Sequence, residues 1–137
     1  MDQVFGWKPA YSVHVAAIDA QHRKLIRLLG ELQRALQAGQ ECTITDRIFQ
    51  ELVAYTDYHF KTEERLMQQH EYHGMAEHKF EHEVLTRRVL LFKQSYDQGK
   101  VALIPMSLLL FLQDWLRQHI LQTDKKYGEF LNTHGVK

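Results

Sequence analysis

The sequence predicts an all-α protein, folded as an up-down-up-down four-helix bundle with an N-terminal arm and a short C-terminal helical tail. Apolar residues recur at helical spacing through four long segments, and no segment shows the period-two alternation of a half-buried strand. The connections between these segments are short, which favours antiparallel neighbours. The length of 137 residues suits one core, so we expect residues 1–137 to form a single domain.

The first predicted elements are the arm and two helices. Residues 1–17 carry Trp7 but no sustained helical period, so we expect an arm laid over the bundle. The first helix is predicted over roughly 18–38, where Gly39 provides a C-terminal stop. The second is predicted over roughly 44–72, because Thr43 followed by Asp46 resembles an N-terminal capping box and Gly74 lies beyond its end.

The third and fourth helices complete the bundle. The third is predicted over roughly 75–98, closed by Gly99. The fourth is predicted over roughly 105–124, because Pro105 fits the first turn of a helix, where its missing N–H has no intrahelical partner. A short tail follows, with Tyr127 and Leu131 at helical spacing.

Composition excludes several classes of protein. Lysine plus arginine and aspartate plus glutamate number 17 each and no basic run occurs, so we expect no nucleic-acid partner. Cys42 is the single cysteine, which rules out an internal disulfide. The N-terminus does not resemble a signal peptide, and the apolar run at 101–112 is too short to span a bilayer. We therefore expect a cytoplasmic protein without membrane insertion.

Seven candidate metal ligands fall on or beside the predicted apolar faces. His59 with Glu63, and His78 with His82, are spaced i, i+4, about one helical turn apart on one face. The start of the first helix, the end of the second, the start of the third and the end of the fourth meet at one end of such a bundle. The candidates converging there are His22, His59, Glu63, His78, His82, His119 and Asp124.

A metal centre is the best explanation for so many polar groups in one interior layer. Burying each without a partner costs about 1–3 kcal/mol, and the imidazole nitrogens outnumber what two carboxylates can pair. With both carboxylates bridging and one bridging oxygen from solvent, the set fills all but one position of two six-coordinate metals. Imidazole and carboxylate ligands with octahedral preference favour iron over a closed tetrahedral zinc site.

The spacing of His119 and Asp124 departs from helical periodicity. An i, i+5 pair lies about 140° apart around a regular helix. Either the fourth helix contains a π-type irregularity, or Asp124 reaches the layer from the helix end.

These motifs resemble the hemerythrin family, in particular its bacterial single-domain members, over nearly the whole chain. The resemblance implies a four-helix bundle with two non-haem iron ions, bridged by an oxo or hydroxo group, that binds O2 reversibly. The matching features are Trp7 in the arm, Ile18-Asp19-Ala20-Gln21-His22, His59-Phe60-Lys61-Thr62-Glu63-Glu64, His78 with His82, and Trp115-Leu116-Arg117-Gln118-His119 followed by Asp124.

The resemblance also implies a role for each site residue. His22 and His59 hold the iron with the open position, and Glu63 and Asp124 bridge the two irons. Leu116 and Trp115 form a wall of the O2 pocket. The other iron is held by His78, His82 and His119.

The ligand set favours O2 binding over oxidation chemistry. The chain contains no Glu-x-x-His motif, whereas di-iron oxidases rely on such carboxylate-rich sets. We therefore expect a monomeric, non-enzymatic protein that stores O2 or delivers it to an oxygen-consuming enzyme. The alternatives are a stand-alone O2 or redox sensor and a di-iron enzyme that scavenges peroxide or nitric oxide.

Several polar residues lie outside this predicted set. Glu64 and Asp19 are predicted to be helix-surface charges, although Asp19 could also cap a helix or support His22. The remaining histidines are predicted to be surface or loop residues, namely His14, His70, His73 and His134.

Overall fold

The structure is a computed structural model that describes residues 6–99 and 104–137, and of residues 41–43 the backbone alone. Within these ranges it contains helices and no strand, which confirms the predicted fold class. A 3-10 turn at Pro9–Tyr11 precedes the bundle, and a π-helical turn, His119–Asp124, joins the last two helices. The helices are α1 (Ala16–Gln37), α2 (Glu41–Gln69), α3 (Met75–Asp97), α4 (Ile104–Gln118) and α5 (Lys125–Thr133).

The four long helices form a closed bundle in chain order. Helix α1 packs against α2 and α4, and α3 packs against the same two helices. Buried leucines of α1 and α4, including Leu29, Leu32 and Leu112, fill the centre together with Phe49 of α2. Across the described ranges, no helix combines the length and apolarity that crossing a bilayer requires.

The bounds of α2 differ from the prediction at both ends. The helix begins at Glu41 with Gln40 at its N-cap, so the capping box predicted at Thr43 and Asp46 is wrong. The helix ends at Gln69, and Glu71 adopts a left-handed φ of 53°, which turns the chain toward α3. Periodicity thus located the helix, whereas turn geometry set its ends.

The N-terminal arm is attached to the end of the bundle that carries the polar cluster. Asp19 of α1 accepts hydrogen bonds from the Ser12 hydroxyl at 2.6 Å and from the backbone N–H of Val13 at 2.9 Å. The Lys125 ammonium donates to the Ser12 carbonyl oxygen at 2.6 Å. Asp19 therefore ties the arm to α1 and is not a free surface charge.

Candidate metal centre

All seven predicted ligands lie together in the interior of one end of the bundle. The start of α1, the end of α2, the start of α3 and the π-helical turn each contribute to this layer. Each of the seven side chains is at most 2% exposed: His22, His59, Glu63, His78, His82, His119 and Asp124. The cluster therefore has the burial of a core rather than of a surface patch.

Glu63 lies against imidazoles from two helices. Its Oε1 is 3.0 Å from Nε2 of His59 and 3.2 Å from Nε2 of His82. Nε2 of His78 lies 3.7 Å from the same oxygen. One carboxylate oxygen thus faces three imidazole nitrogens, an arrangement suited to holding a cation among them.

Asp124 joins the same cluster from the π-helical turn. Its Oδ1 is 3.0 Å from Nε2 of His78 and 3.0 Å from Nε2 of His119. Its Oδ2 is 3.0 Å from Nε2 of His22. Of the two alternatives for the spacing of His119 and Asp124, the structure contains the π irregularity, and the wider turn places Asp124 on the face of its own helix that carries His119.

The donor atoms fit metal ions. Although these contacts are close, Nε2 of His22, His78, His82 and His119 and all carboxylate oxygens of Glu63 and Asp124 lack a hydrogen-bond partner in the described structure. Their ligand atoms fall into two groups, each within 4.8 Å: His22 with His59 and Glu63, and Glu63 with His78, His82 and His119. Glu63 belongs to both groups, so the geometry suits two neighbouring cations.

The electrostatics of the cluster keep the carboxylates anionic. Burial by itself would raise the pKa of Glu63, but the charge of His59 and the close approach of the His59, His78 and His82 imidazoles lower that pKa well below its usual range. Burial and the charge of Glu63 would likewise raise the pKa of Asp124, which interactions with His119 and His22 lower overall. Both side chains are therefore in the form that binds a cation.

The pKa values of the imidazoles shift in opposite directions. Burial alone lowers the pKa of His78 and of His119, but Asp124 and Glu63 raise these pKa values to about 10 and about 9 respectively. Burial dominates at His59, whose pKa is lowered. His59 thus differs electrostatically from His78 and His119.

In three of the imidazoles, the second ring nitrogen, Nδ1, also makes a hydrogen bond. The Nδ1–H of His59 donates to Oε1 of Gln21. That of His82 donates to Oε2 of Glu64 at 3.2 Å, so Glu64, predicted to be a helix-surface charge, also supports one of the candidate ligands.

The third of these contacts comes from α3. The Nδ1–H of His119 donates to Oε1 of Glu81 at 3.1 Å, and Glu81 also accepts a hydrogen bond from the hydroxyl of Thr123. Sequence reasoning gave no role to Gln21, Glu81 or Thr123. Gln21, Glu64 and Glu81 each adjoin a predicted ligand in sequence, the signal that could have identified them.

Aromatic rings cover the cluster. Phe60 stacks on His82 with ring centroids 3.8 Å apart, and Trp115 stacks on His119 at 4.2 Å. Tyr55 stacks on His59 at 5.3 Å. Of the two predicted pocket residues, Leu116 is fully buried in the core, whereas Trp115 is partly exposed and lies against the three-histidine group.

The other histidines lie outside the cluster. His14 and His73 are exposed, and His70 is half-buried with its ring 5.9 Å from that of His134. None of them belongs to either group of converging ligand atoms.

A helical bundle with a buried histidine and carboxylate cluster at one end defines a class of metal-binding bundle proteins. The sequence profile of the hemerythrin HHE cation binding domain matches residues 13–131 of this chain. The chain therefore belongs to the hemerythrin family.

Individual relatives agree with this family. The chain is 32% identical over 128 residues to the bacteriohemerythrin of Stenotrophomonas maltophilia (strain R551-3), covering 93% of this chain and 82% of the relative. It is 32% identical over 118 residues to that of Aquifex aeolicus (strain VF5), covering 83% and 87% respectively. A crystal structure of wild-type hemerythrin superposes with a TM-score of 0.83 at 28% identity, over 94% of this chain and 98% of that chain.

Proposed function

We propose that this protein binds O2 reversibly at a di-iron centre and stores it or delivers it to an oxygen-consuming enzyme. The observation that carries the proposal is the division of a histidine-rich cluster into a group of three and a group of two imidazoles around shared carboxylates. These residues would hold a pair of iron ions, which in the reduced state would supply the electrons for O2 binding. Membership of the hemerythrin family supports this assignment.

Each of the seven residues has a place in the proposed centre. His22 and His59 would hold one iron, and His78, His82 and His119 would hold the other. Glu63 and Asp124 would be shared between the two. The contacts of Glu63 with His59 and His82, and of Asp124 with His22 and His119, support these shared roles.

The surrounding side chains exclude water and fix the imidazoles. Leu116 is fully buried, and we assign it with Trp115 to the wall of the O2 pocket. Phe60 and Trp115 cover the outer faces of His82 and His119, which protects the cluster from solvent on that side. Because Nδ1–H donates the hydrogen bond in His59, His82 and His119, Nε2 of each ring is left to bind a metal.

We infer a carrier rather than an enzyme. The carboxylates nearest to the cluster, Glu64 and Glu81, are both engaged by imidazole N–H groups and so are not free to act as general acids or bases. The wholly intrachain ligand set needs no second subunit, which supports a monomer. Sedimentation equilibrium would test this oligomeric state. We expect the carrier to act in the cytoplasm.

An optical and metal analysis tests the proposal. The anaerobically reduced protein is measured before and after exposure to air, and again after O2 is removed, with iron determined on the same sample. Two irons per chain and an absorption band that appears with O2 and disappears without it are expected. An irreversible change on exposure to air, with two irons present, would refute the carrier role.

Measuring partner binding in both oxygenation states distinguishes a carrier from a sensor. A sensor would form a complex with a partner protein in only one oxygenation state, whereas a carrier needs no such dependence. Turnover with peroxide or nitric oxide would instead establish a scavenging enzyme.

A further inference from the structure

The carboxylate of Glu81 contacts both ends of the π-helical turn at once. Its Oε1 accepts from Nδ1–H of His119 at 3.1 Å. The hydroxyl of Thr123 lies 3.0 Å from Oε1 and 3.1 Å from Oε2. Glu81 belongs to α3, so these contacts connect that helix to the first residue of the π-helical turn and to the residue before its last.

The π-helical turn decides where Asp124 points. On a regular helix, Asp124 would lie about 140° around the axis from His119. In the wider turn its Oδ1 is instead 3.0 Å from Nε2 of His119. Because π-type turns are rare and occur mostly as single turns, we expect contacts from outside the helix to contribute to their stability.

We propose that Glu81 is a positioning residue that stabilises the π-helical turn by binding His119 and Thr123 together, and thereby aims Asp124 into the cluster. The role in metal binding rests on the function proposed above, whereas the hold on the turn does not require a metal. The contact with Nδ1 also fixes the tautomer of His119 and leaves its Nε2 as the metal-facing nitrogen.

The other imidazole partners support ligands outside the π-helical turn, although Gln21 also makes two contacts, the second from its amide nitrogen to the hydroxyl of Thr62 on α2 at 3.5 Å. Glu64 binds His82, its neighbour across the bundle, and Gln21 binds His59 on α2. Neither of these ligands lies in the π-helical turn. Glu81 is thus placed to couple the tautomer of one ligand to the backbone that presents another.

Three variants test the hold on the turn in the metal-free protein. Thr123→Val removes one hydroxyl donor and leaves the contact between Glu81 and His119, whereas Glu81→Gln weakens both contacts. Glu83→Gln is the matched control, because Glu83 is an exposed glutamate on the same helix. The measurements are amide hydrogen exchange along the chain and the 15N shifts of the His119 ring.

We expect Thr123→Val to speed exchange of the amides at 119–124 by roughly threefold to tenfold, as the loss of one hydrogen bond implies. Glu81→Gln should speed it at least as much and also shift the His119 ring signals, because the Nδ1–H group loses its carboxylate acceptor. Glu83→Gln should change neither. Unchanged exchange and ring signals in both test variants would overturn the proposal, as would an equal rise in exchange along every helix.

Anaerobic titration with Fe(II) extends the test to the metal. Glu81→Gln should weaken Fe(II) binding by roughly 10-fold to 100-fold, the usual effect of losing a residue that orients a ligand. Unchanged Fe(II) affinity would overturn the claim that Glu81 acts on the cluster. If the unmodified protein binds no iron pair while the exchange results hold, the proposed function fails and the structural role of Glu81 stands.

Discussion

Removing the metal from this protein should destabilise it strongly, at one end of the bundle. In six of the seven clustered residues, buried nitrogen or oxygen atoms have no hydrogen-bond partner in the described structure: His22, Glu63, His78, His82, His119 and Asp124. A buried polar group without a partner costs about 1–3 kcal/mol. Contacts between imidazoles and carboxylates near 3.0 Å offset part of this cost without metal.

The lower limit of that range sets the expected size of the effect. At about 1 kcal/mol for each of the six residues, the loss is about 6 kcal/mol, within the total stability of about 5–15 kcal/mol of an ordinary domain. For a chain of 137 residues, 1 kcal/mol corresponds to about 3–4 °C in Tm. We therefore expect chelation to lower Tm by about 20 °C.

Thermal unfolding followed by circular dichroism measures this shift at a fixed free metal concentration, because Tm depends on the concentration of any ligand that binds the folded state. Amide hydrogen exchange locates the change. Protection should fall first at the start of α1, the end of α2, the start of α3 and the π-helical turn. A Tm change below about 5 °C, or an equal loss of protection at both ends of the bundle, would refute the reasoning.

Three substitutions probe the site and its surroundings. Asp124→Asn should lower the iron content below that of the unmodified protein, because it removes the anionic oxygens facing three imidazoles; metal analysis measures this. Leu116→Ala should cost about 2–5 kcal/mol in the free energy of unfolding and speed the loss of the oxygenated state by admitting water, as denaturation and optical decay would show. Gly128→Ala should detach the arm, because a Cβ there would lie 2.6 Å from an arm carbonyl oxygen; faster amide exchange in the arm measures it.

Exposed positions on α4 provide controls for the first two substitutions. Asp114→Asn should keep the full iron content, and Leu110→Ala, at a side chain 58% exposed, should leave stability and oxygenated lifetime nearly unchanged. Equal iron content in Asp124→Asn and Asp114→Asn would contradict the assignment of Asp124. Equal lifetimes for Leu116→Ala and Leu110→Ala would reduce Leu116 to core packing, and unchanged exchange in the arm would contradict the steric argument for Gly128.

Helical periodicity anticipated much of this molecule. It placed His59 and Glu63 on one face of the second helix, and the odd spacing of His119 and Asp124 raised the possibility of the π irregularity that the structure contains. Periodicity works here because the face on which a side chain lies depends only on residues within a few turns of the same helix. It failed at the start of α2, where the pattern at Thr43 fits a cap but the helix already begins at Glu41.

The partners of the imidazoles could not be derived in the same way. Gln21 contacts His59 from 38 residues away, and Glu81 contacts Thr123 from 42 residues away. Such contacts depend on how far each helix is rotated and shifted along its neighbour, which the packing of the whole core decides. Glu64 is an example. Its position beside Glu63 in the sequence does not decide whether its side chain faces solvent or His82, which it contacts in the structure.

The sequence by itself therefore determined which helices exist, which of their faces are buried, and that seven ligand-type residues share one end of a bundle. Only the tertiary structure decided which carboxylate oxygen faces which imidazole nitrogen, and which carboxylates accept the hydrogen bonds from Nδ1–H of the imidazoles. The physical reason is that helix formation and facing are local properties of the chain, whereas a distance of 3.0 Å between side chains on two helices depends on the register of the entire bundle.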